Sequence, residues 1–188
     1  KALVGDFQIQ ASGYYGGSVG AGKYEADSLG IPSGMFALPI ALGEFNVQYD
    51  NNGFGAKILA TYVQLSGANE INRTYANNTP EAMYGAYAEL SYNIFETFKS
   101  ERFKNRSLVS FVRYEKLDLN ATIPSNGIYN GTLKQTHVLI GLNYFPIPNV
   151  VLKADVRLTN TGPFNKALYI NPPPVMRPYA ESNTFLNL

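Results

Sequence analysis

The sequence predicts an all-β fold, an antiparallel transmembrane β-barrel. Three observations predict it. Apolar side chains recur at every second position through long segments, the connections alternate between short and long, and tyrosines mark both ends of the apolar face. A period of two belongs to an extended strand with one polar and one apolar side, whereas a helix repeats near 3.6.

The elements follow in order. From Leu3 to Tyr15, the positions Leu3, Gly5, Phe7, Ile9, Ala11, Gly13 and Tyr15 alternate with Val4, Asp6, Gln8, Gln10, Ser12 and Tyr14, which reads as one continuous strand. The second segment sets Ala41, Phe45, Val47 and Tyr49 against Glu44, Asn46 and Gln48. The third sets Phe54, Ala56, Ile58, Ala60 and Tyr62 against Lys57 and Thr61. The fourth alternates from Tyr84 through Ala88 to Ile94 and the fifth around Val112 and Tyr114. The sixth runs from Thr136 to Tyr144 and the seventh from Val150 to Leu158, and an eighth opens at Thr184. These segments are about 9–13 residues long. Strands of soluble domains average about 5–6 residues and bilayer-crossing strands about 9–11, so length favours a membrane.

Short connections, Asp50-Asn51-Asn52-Gly53 and Pro146-Ile147-Pro148-Asn149, alternate with long ones at about 16–39, 67–82, 118–134 and 160–182. The stretch Phe95 to Arg106 is an inner connection of intermediate length with Lys99, Lys104, Arg102 and Arg106, read as a solvated basic turn. Outer-membrane barrels pair short periplasmic turns with long outer loops, so the whole of 1–188 reads as one barrel domain.

Composition narrows the function. The net charge is +1, which argues against a nucleic-acid partner. Cysteine is absent and His137 is the one histidine, so thiolate sites, histidine clusters and most triads are excluded; no catalytic residue, metal or cofactor is expected. No run of 18 apolar residues marks a membrane helix. Gly17-Ser18-Val19-Gly20-Ala21-Gly22-Lys23 has phosphate-loop spacing, but Tyr24 follows where Ser or Thr is needed. No helix is expected after it because Gly30, Pro32 and Gly34 break the segment.

Charge sorts by face. Asp6, Glu44, Asp50, Lys57, Glu89, Arg113, Glu115, Lys153, Asp155 and Arg157 fall on the polar side, and only Lys116 and Lys134 on the apolar side, both at outer ends. A lipid-facing charge costs about 2–4 kcal/mol at the bilayer midplane and little at its edges, so this placement suits a membrane. The expected pore-lining residues are Lys57, Glu89, Arg113, Glu115, His137, Lys153, Asp155 and Arg157. Ion pairs across strands are expected, Arg113 or Arg157 with Glu115 or Asp155. The acidic and basic sets nearly balance, so they either satisfy one another on the wall or select ions only weakly. Membrane-interface aromatics are expected at Tyr15, Tyr62, Tyr84 and Tyr114 on the outer side and at Tyr49, Phe54, Tyr92 and Tyr144 on the inner side. A soluble sandwich also alternates, but does not explain tyrosines at both ends of one face.

Phe111-Val112-Arg113-Tyr114-Glu115, Gly141-Leu142-Asn143-Tyr144 and Pro148-Asn149-Val150-Val151-Leu152-Lys153-Ala154-Asp155 resemble the last strands of bacterial outer-membrane porins, in the group that includes the phosphate-selective porins. Asn183 to Leu188 resembles the start of that family's closing strand, which in the family continues to a terminal aromatic. The resemblance is carried by about the last 80 residues. It implies the C-terminal portion of a larger barrel of roughly 16 strands, a homotrimer in the bacterial outer membrane, with lipid and small solutes, anions included, as partners. In the matching strands Arg113, Lys153 and Arg157 could carry anion contacts. The alternative is a complete eight-stranded barrel acting as an anchor or adhesin. Two loop readings remain. Asn69 to Tyr75 could form a short helix folded into the lumen, though an exposed loop is the simpler expectation. Asn171-Pro172-Pro173-Pro174-Val175 reads as a stiff extended segment.

Overall fold

The structure is a computed structural model that describes residues 2–17, 22–34, 38–98, 100–165 and 181–188, with Arg102 described by its backbone alone. The strands are β1 (Ala2–Val4), β2 (Phe7–Gly17), β3 (Pro39–Asn51), β4 (Phe54–Leu65), β5 (Ala82–Asn93), β6 (Ser107–Thr122), β7 (Lys134–Ile147), β8 (Val150–Thr161) and β9 (Ser182–Asn187). They form one antiparallel sheet in chain order, β1 to β9. β1 and β9 are its edges and run in the same direction; among the described residues no pairing joins them.

The first segment is two strands, not one. Gly5 has φ +59°, a left-handed value, and with Asp6 it forms a two-residue turn that pairs Val4 with Phe7 and Leu3 with Gln8, so Val4 and not Leu3 shares the apolar face with Phe7. The second tight turn works similarly: Asn52 and Gly53 both have positive φ between β3 and β4, as the alternation of short connections requires. β6 continues to Thr122, so the third long connection is shorter than 118–134, and Asp118 joins Lys116 and Lys134 on the apolar alternation. Four residues of β6 span what two residues of β5 span between Ala82 and Tyr84. This bulge is braced by the Asn120 N–H donating to Asp118 at 2.9 Å. A second irregularity between Tyr144 and Ile147 surrounds Pro146, which has no N–H for the ladder.

Two helices sit in the long connections. α1 (Lys23–Leu29) follows Gly22 and stops at Gly30, whose left-handed backbone caps it. The glycine read as a helix breaker is thus the residue that ends one. Residues 18–21 of the phosphate-loop-like run lie outside the described residues, as do Lys99, the Arg102 side chain and the triple-proline run. α2 (Ala68–Tyr75) lies between β4 and β5.

The burial is inverted relative to a water-soluble sheet. On the apolar face Ile58 is 53% exposed, Leu90 52% and Ile140 57%, whereas on the polar face Glu89, Asn46 and His137 are under 10%. No second layer covers the apolar face among the described residues, where a sandwich would place its other sheet. Apart from Leu139, which lies among the ladder charges on the polar face, the buried apolar residues gather instead at the loop end of the sheet. One group is Ala26 with Ile31, and another is Leu38, Leu65 and Ile71 with Ile40, Val63 and Met83 beside them.

Candidate functional site

Strand alternation puts one set of charges on the polar face, and register decides which of them meet. Lys57 in β4 lies opposite Glu89 in β5, which lies opposite Arg113 in β6. Lys57 Nζ is 3.4 Å from Glu89 Oε1. Arg113 Nε donates to Glu89 Oε2 at 2.7 Å, and its Nη1 donates to Glu115 Oε1 at 3.2 Å. Glu115 then reaches Arg157 in β8, at 3.9 Å. The result is a ladder, Lys57–Glu89–Arg113–Glu115–Arg157, built from four strands, β4, β5, β6 and β8. Glu89 is its most buried member and takes both a lysine and an arginine, so a carboxylate with little water is fully ligated. The Arg113 guanidinium also lies 4.6 Å from the ring centre of Tyr87, a favourable cation–π geometry.

The other expected lining residues lie on the same face but outside the ladder. His137 is opposite Glu115 and Thr159, and its Nδ1 is 2.9 Å from Thr159 Oγ1. Asp155 accepts from Asn187 Nδ2 at 2.7 Å rather than pairing with an arginine. Leu139 separates Arg113 from Arg157, so Asp155 is left one step off the ladder. Lys153 faces Asn143 and makes no ion pair among the described residues. Nearer the β3–β4 turn, Gln48, Asp50, Lys57, Glu89, Phe111 and Asn143 line a recess of about 330 Å³.

Gly141 lies between Phe111 and Asp155 in register, and a Cβ there would come within 2.7 Å of both. The Phe111 ring therefore occupies the space over a bare backbone, which needs glycine at this position.

At the loop end, Ile71 of α2 clusters with Leu38 and Leu65, and Ile40, Val63 and Met83 pack against that cluster. Val63, Leu65 and Met83 belong to the polar-side alternation, so the segment read as an exposed loop folds over the polar face. Asn72 closes it locally, donating to the Thr79 carbonyl at 3.1 Å and accepting from the Thr79 N–H at 2.6 Å. Arg73 donates to the Gly30 carbonyl at 3.0 Å, tying α2 to the α1 connection. Asn126 donates to the Asn69 carbonyl, and Asn78 exchanges two bonds with the Ile128 backbone. Asn165 donates to the Tyr129 carbonyl. Side-chain amides and the Arg73 guanidinium thus link all four long connections. Sequence reading missed this network, because an asparagine-rich loop signals turns without naming distant partners.

Apart from Phe45, which lies between them opposite Ala11 and Ala60, the aromatics of the apolar face form two slanted bands. Phe7 and Tyr15, Phe54 and Tyr62, and Tyr84 and Tyr92 are each eight residues apart, roughly 27 Å along a strand at ~3.4 Å per residue. Tyr62 is directly opposite Tyr84, and Phe54 opposite Tyr92. Phe7 and Tyr49 are 4.8 Å apart between ring centres, and Tyr49 and Phe54 6.1 Å. Followed across the register, the outer band steps from Tyr15 to the Tyr62–Tyr84 row and then to Tyr114. The inner band steps the same way, from the Phe7–Tyr49 row to Phe54–Tyr92 and then to Leu108–Tyr144. Tyr114 pairs with Ala88 and Val138, which from the sequence alone would have been level with the strand middles. A row of hydrogen-bonded partners is not a level plane when strands are inclined, and the two bands share one inclination.

Among the described residues no group of three or more His, Asp or Glu could hold a metal ion, and no helix is long and apolar enough to cross a membrane. No family model matches the chain, and no solved structure matches it. The chain is 29% identical over 113 residues to an uncharacterized protein of Aquifex aeolicus (strain VF5), an alignment that covers 55% of this chain and 25% of that protein. The chain therefore spans about a quarter of the length of the curated relative it matches.

Proposed function

We propose that the chain forms part of the wall of a bacterial outer-membrane β-barrel, and that its polar face lines a water-filled pore for passive diffusion of small solutes. The carrying observation is the inverted burial. A sheet with Ile58, Leu90, Ile140 and Leu152 more than half exposed is at its lowest free energy when that face meets hydrocarbon. Roughly 27 Å of strand between the aromatic bands, inclined by about 35–45°, gives an apolar height of about 19–22 Å, a little under the ~25 Å band of such barrels. The trimer and the larger strand count implied by the porin resemblance belong to the same proposal.

Selectivity follows from radius and lining charge. The ladder spends its cations on its own carboxylates, leaving Lys153 as the lining cation outside it, so a weak ion preference is proposed. α2 narrows the outer mouth on one side.

Planar-bilayer recording of the full-length protein tests the reading. Discrete open steps are expected. A silent bilayer, from protein that stays monodisperse in buffer without detergent, overturns it.

A further inference from the structure

The inner connection between β5 and β6 is folded, and it folds toward the apolar face. It holds two 3-10 turns, Ile94–Phe98 and Glu101–Phe103. Asn93 Oδ1 accepts from the N–H groups of both Phe95 and Leu108, closing its two ends together at 3.3 and 3.1 Å. Tyr92 and Tyr144 both belong to the apolar alternation. The Tyr92 hydroxyl is 3.3 Å from Thr97 Oγ1, and Phe95 meets Tyr144 edge-on at 6.3 Å. Phe95 stacks on Phe103 at 4.3 Å, and Phe98 lies 6.0 Å from Phe103 while remaining 60% exposed. A solvated turn has no reason to gather three phenylalanines with one of them, Phe95, against Tyr144 of the inner aromatic band.

The charge on this unit is complementary to phosphate. Lys99, Arg102, Lys104 and Arg106 outnumber Glu96 and Glu101 in the sequence. Lys104 is shared with Glu101 at 3.3 Å in a fully solvated pair, which is easily exchanged. The Arg106 side chain has no hydrogen bond or ion pair among the described residues. Apolar rings set beside solvated cations are the composition of an interfacial anchor, with rings at the acyl boundary and cations among headgroups.

We infer that residues 94–106 bind anionic phospholipid headgroups of the inner leaflet, with Phe95, Phe98 and Phe103 at the acyl boundary and Lys104 and Arg106 on the phosphates. This inference rests on the barrel reading, because it needs the apolar face to lie in a bilayer.

The test uses the full-length protein folded into vesicles of phosphatidylcholine with phosphatidylglycerol. Channel conductance and heat-modifiable migration first report insertion. Lipid retained after detergent extraction is then counted by native mass spectrometry, for wild type, Lys104→Ala/Arg106→Ala and Phe98→Ser. Wild type is expected to retain phosphatidylglycerol selectively. Each basic residue removed should lower that preference about fivefold, the equivalent of ~1 kcal/mol per cation at an anionic surface. Phe98→Ser should lower retention of both lipids, and conductance should stay unchanged throughout. Equal retention of the two lipids by inserted wild type, or undiminished preference in the double variant, overturns the inference and leaves the barrel reading standing. So does a periplasmic protein cross-linked to this unit in place of lipid. Failure of the wild type to insert overturns both.

Discussion

The Arg113 guanidinium bridges two carboxylates, Glu89 on the neighbouring strand and Glu115 on its own, at 2.7 and 3.2 Å. Removing it strands a nearly buried Glu89 with only Lys57. Arg113→Ala should cost about 3 kcal/mol, the usual scale for removing one partner of a buried pair. Arg113→Lys should restore less than half, since an ammonium cannot span both acids in a planar fork. Urea unfolding of the folded protein in lipid vesicles measures both.

Lys153→Ala combined with Arg157→Ala should leave the reversal potential in a salt gradient unchanged. Arg157 already faces Glu115, and Lys153 is one charge in an otherwise compensated lining. A clear move toward cation preference would show that these residues select ions.

Leu90→Lys places a charge on the apolar face and should impair folding into vesicles by about 2–4 kcal/mol if the site lies near the midplane. Thr61→Lys, on the other face and opposite Glu44, should be close to neutral. Equal tolerance of both would mean the two faces meet the same medium.

Gly141→Ala should destabilise by about 1–3 kcal/mol through overpacking against Phe111 and Asp155. Phe111→Leu added to it should recover part of the loss. A double-mutant cycle in urea reads the coupling.

Ile71→Ala removes the apolar anchor of α2, at a local cost of about 2–3 kcal/mol. Trypsin should then cut faster at Arg73, and single-channel conductance should rise because the helix leaves the outer mouth. Faster cleavage with unchanged conductance would place α2 away from the solute path.

The strands were legible because alternation at period two survives in composition alone. The turn at Gly5-Asp6 was not, because Leu3, Gly5 and Phe7 continue one alternation in the sequence although the turn places Leu3 on the Gln8 side and Val4 on the Phe7 side. The face of each charge was legible, but its partner was not. Which of Glu115 and Asp155 meets Arg157 depends on the registers of β6 with β7 and of β7 with β8, the latter shifted between Tyr144 and Ile147, and on Leu139 standing between the arginines. α2 was readable as an option only. Its eight residues are too short and polar to declare a face before Leu65 and Met83 are brought beneath it.

The like direction of β1 and β9 sets a rule of counting. Neighbours in this sheet always oppose one another, so the two edges can meet directly only through a parallel seam. Any closed ring that keeps the alternation and contains these nine strands must insert an odd number of others between its two margins.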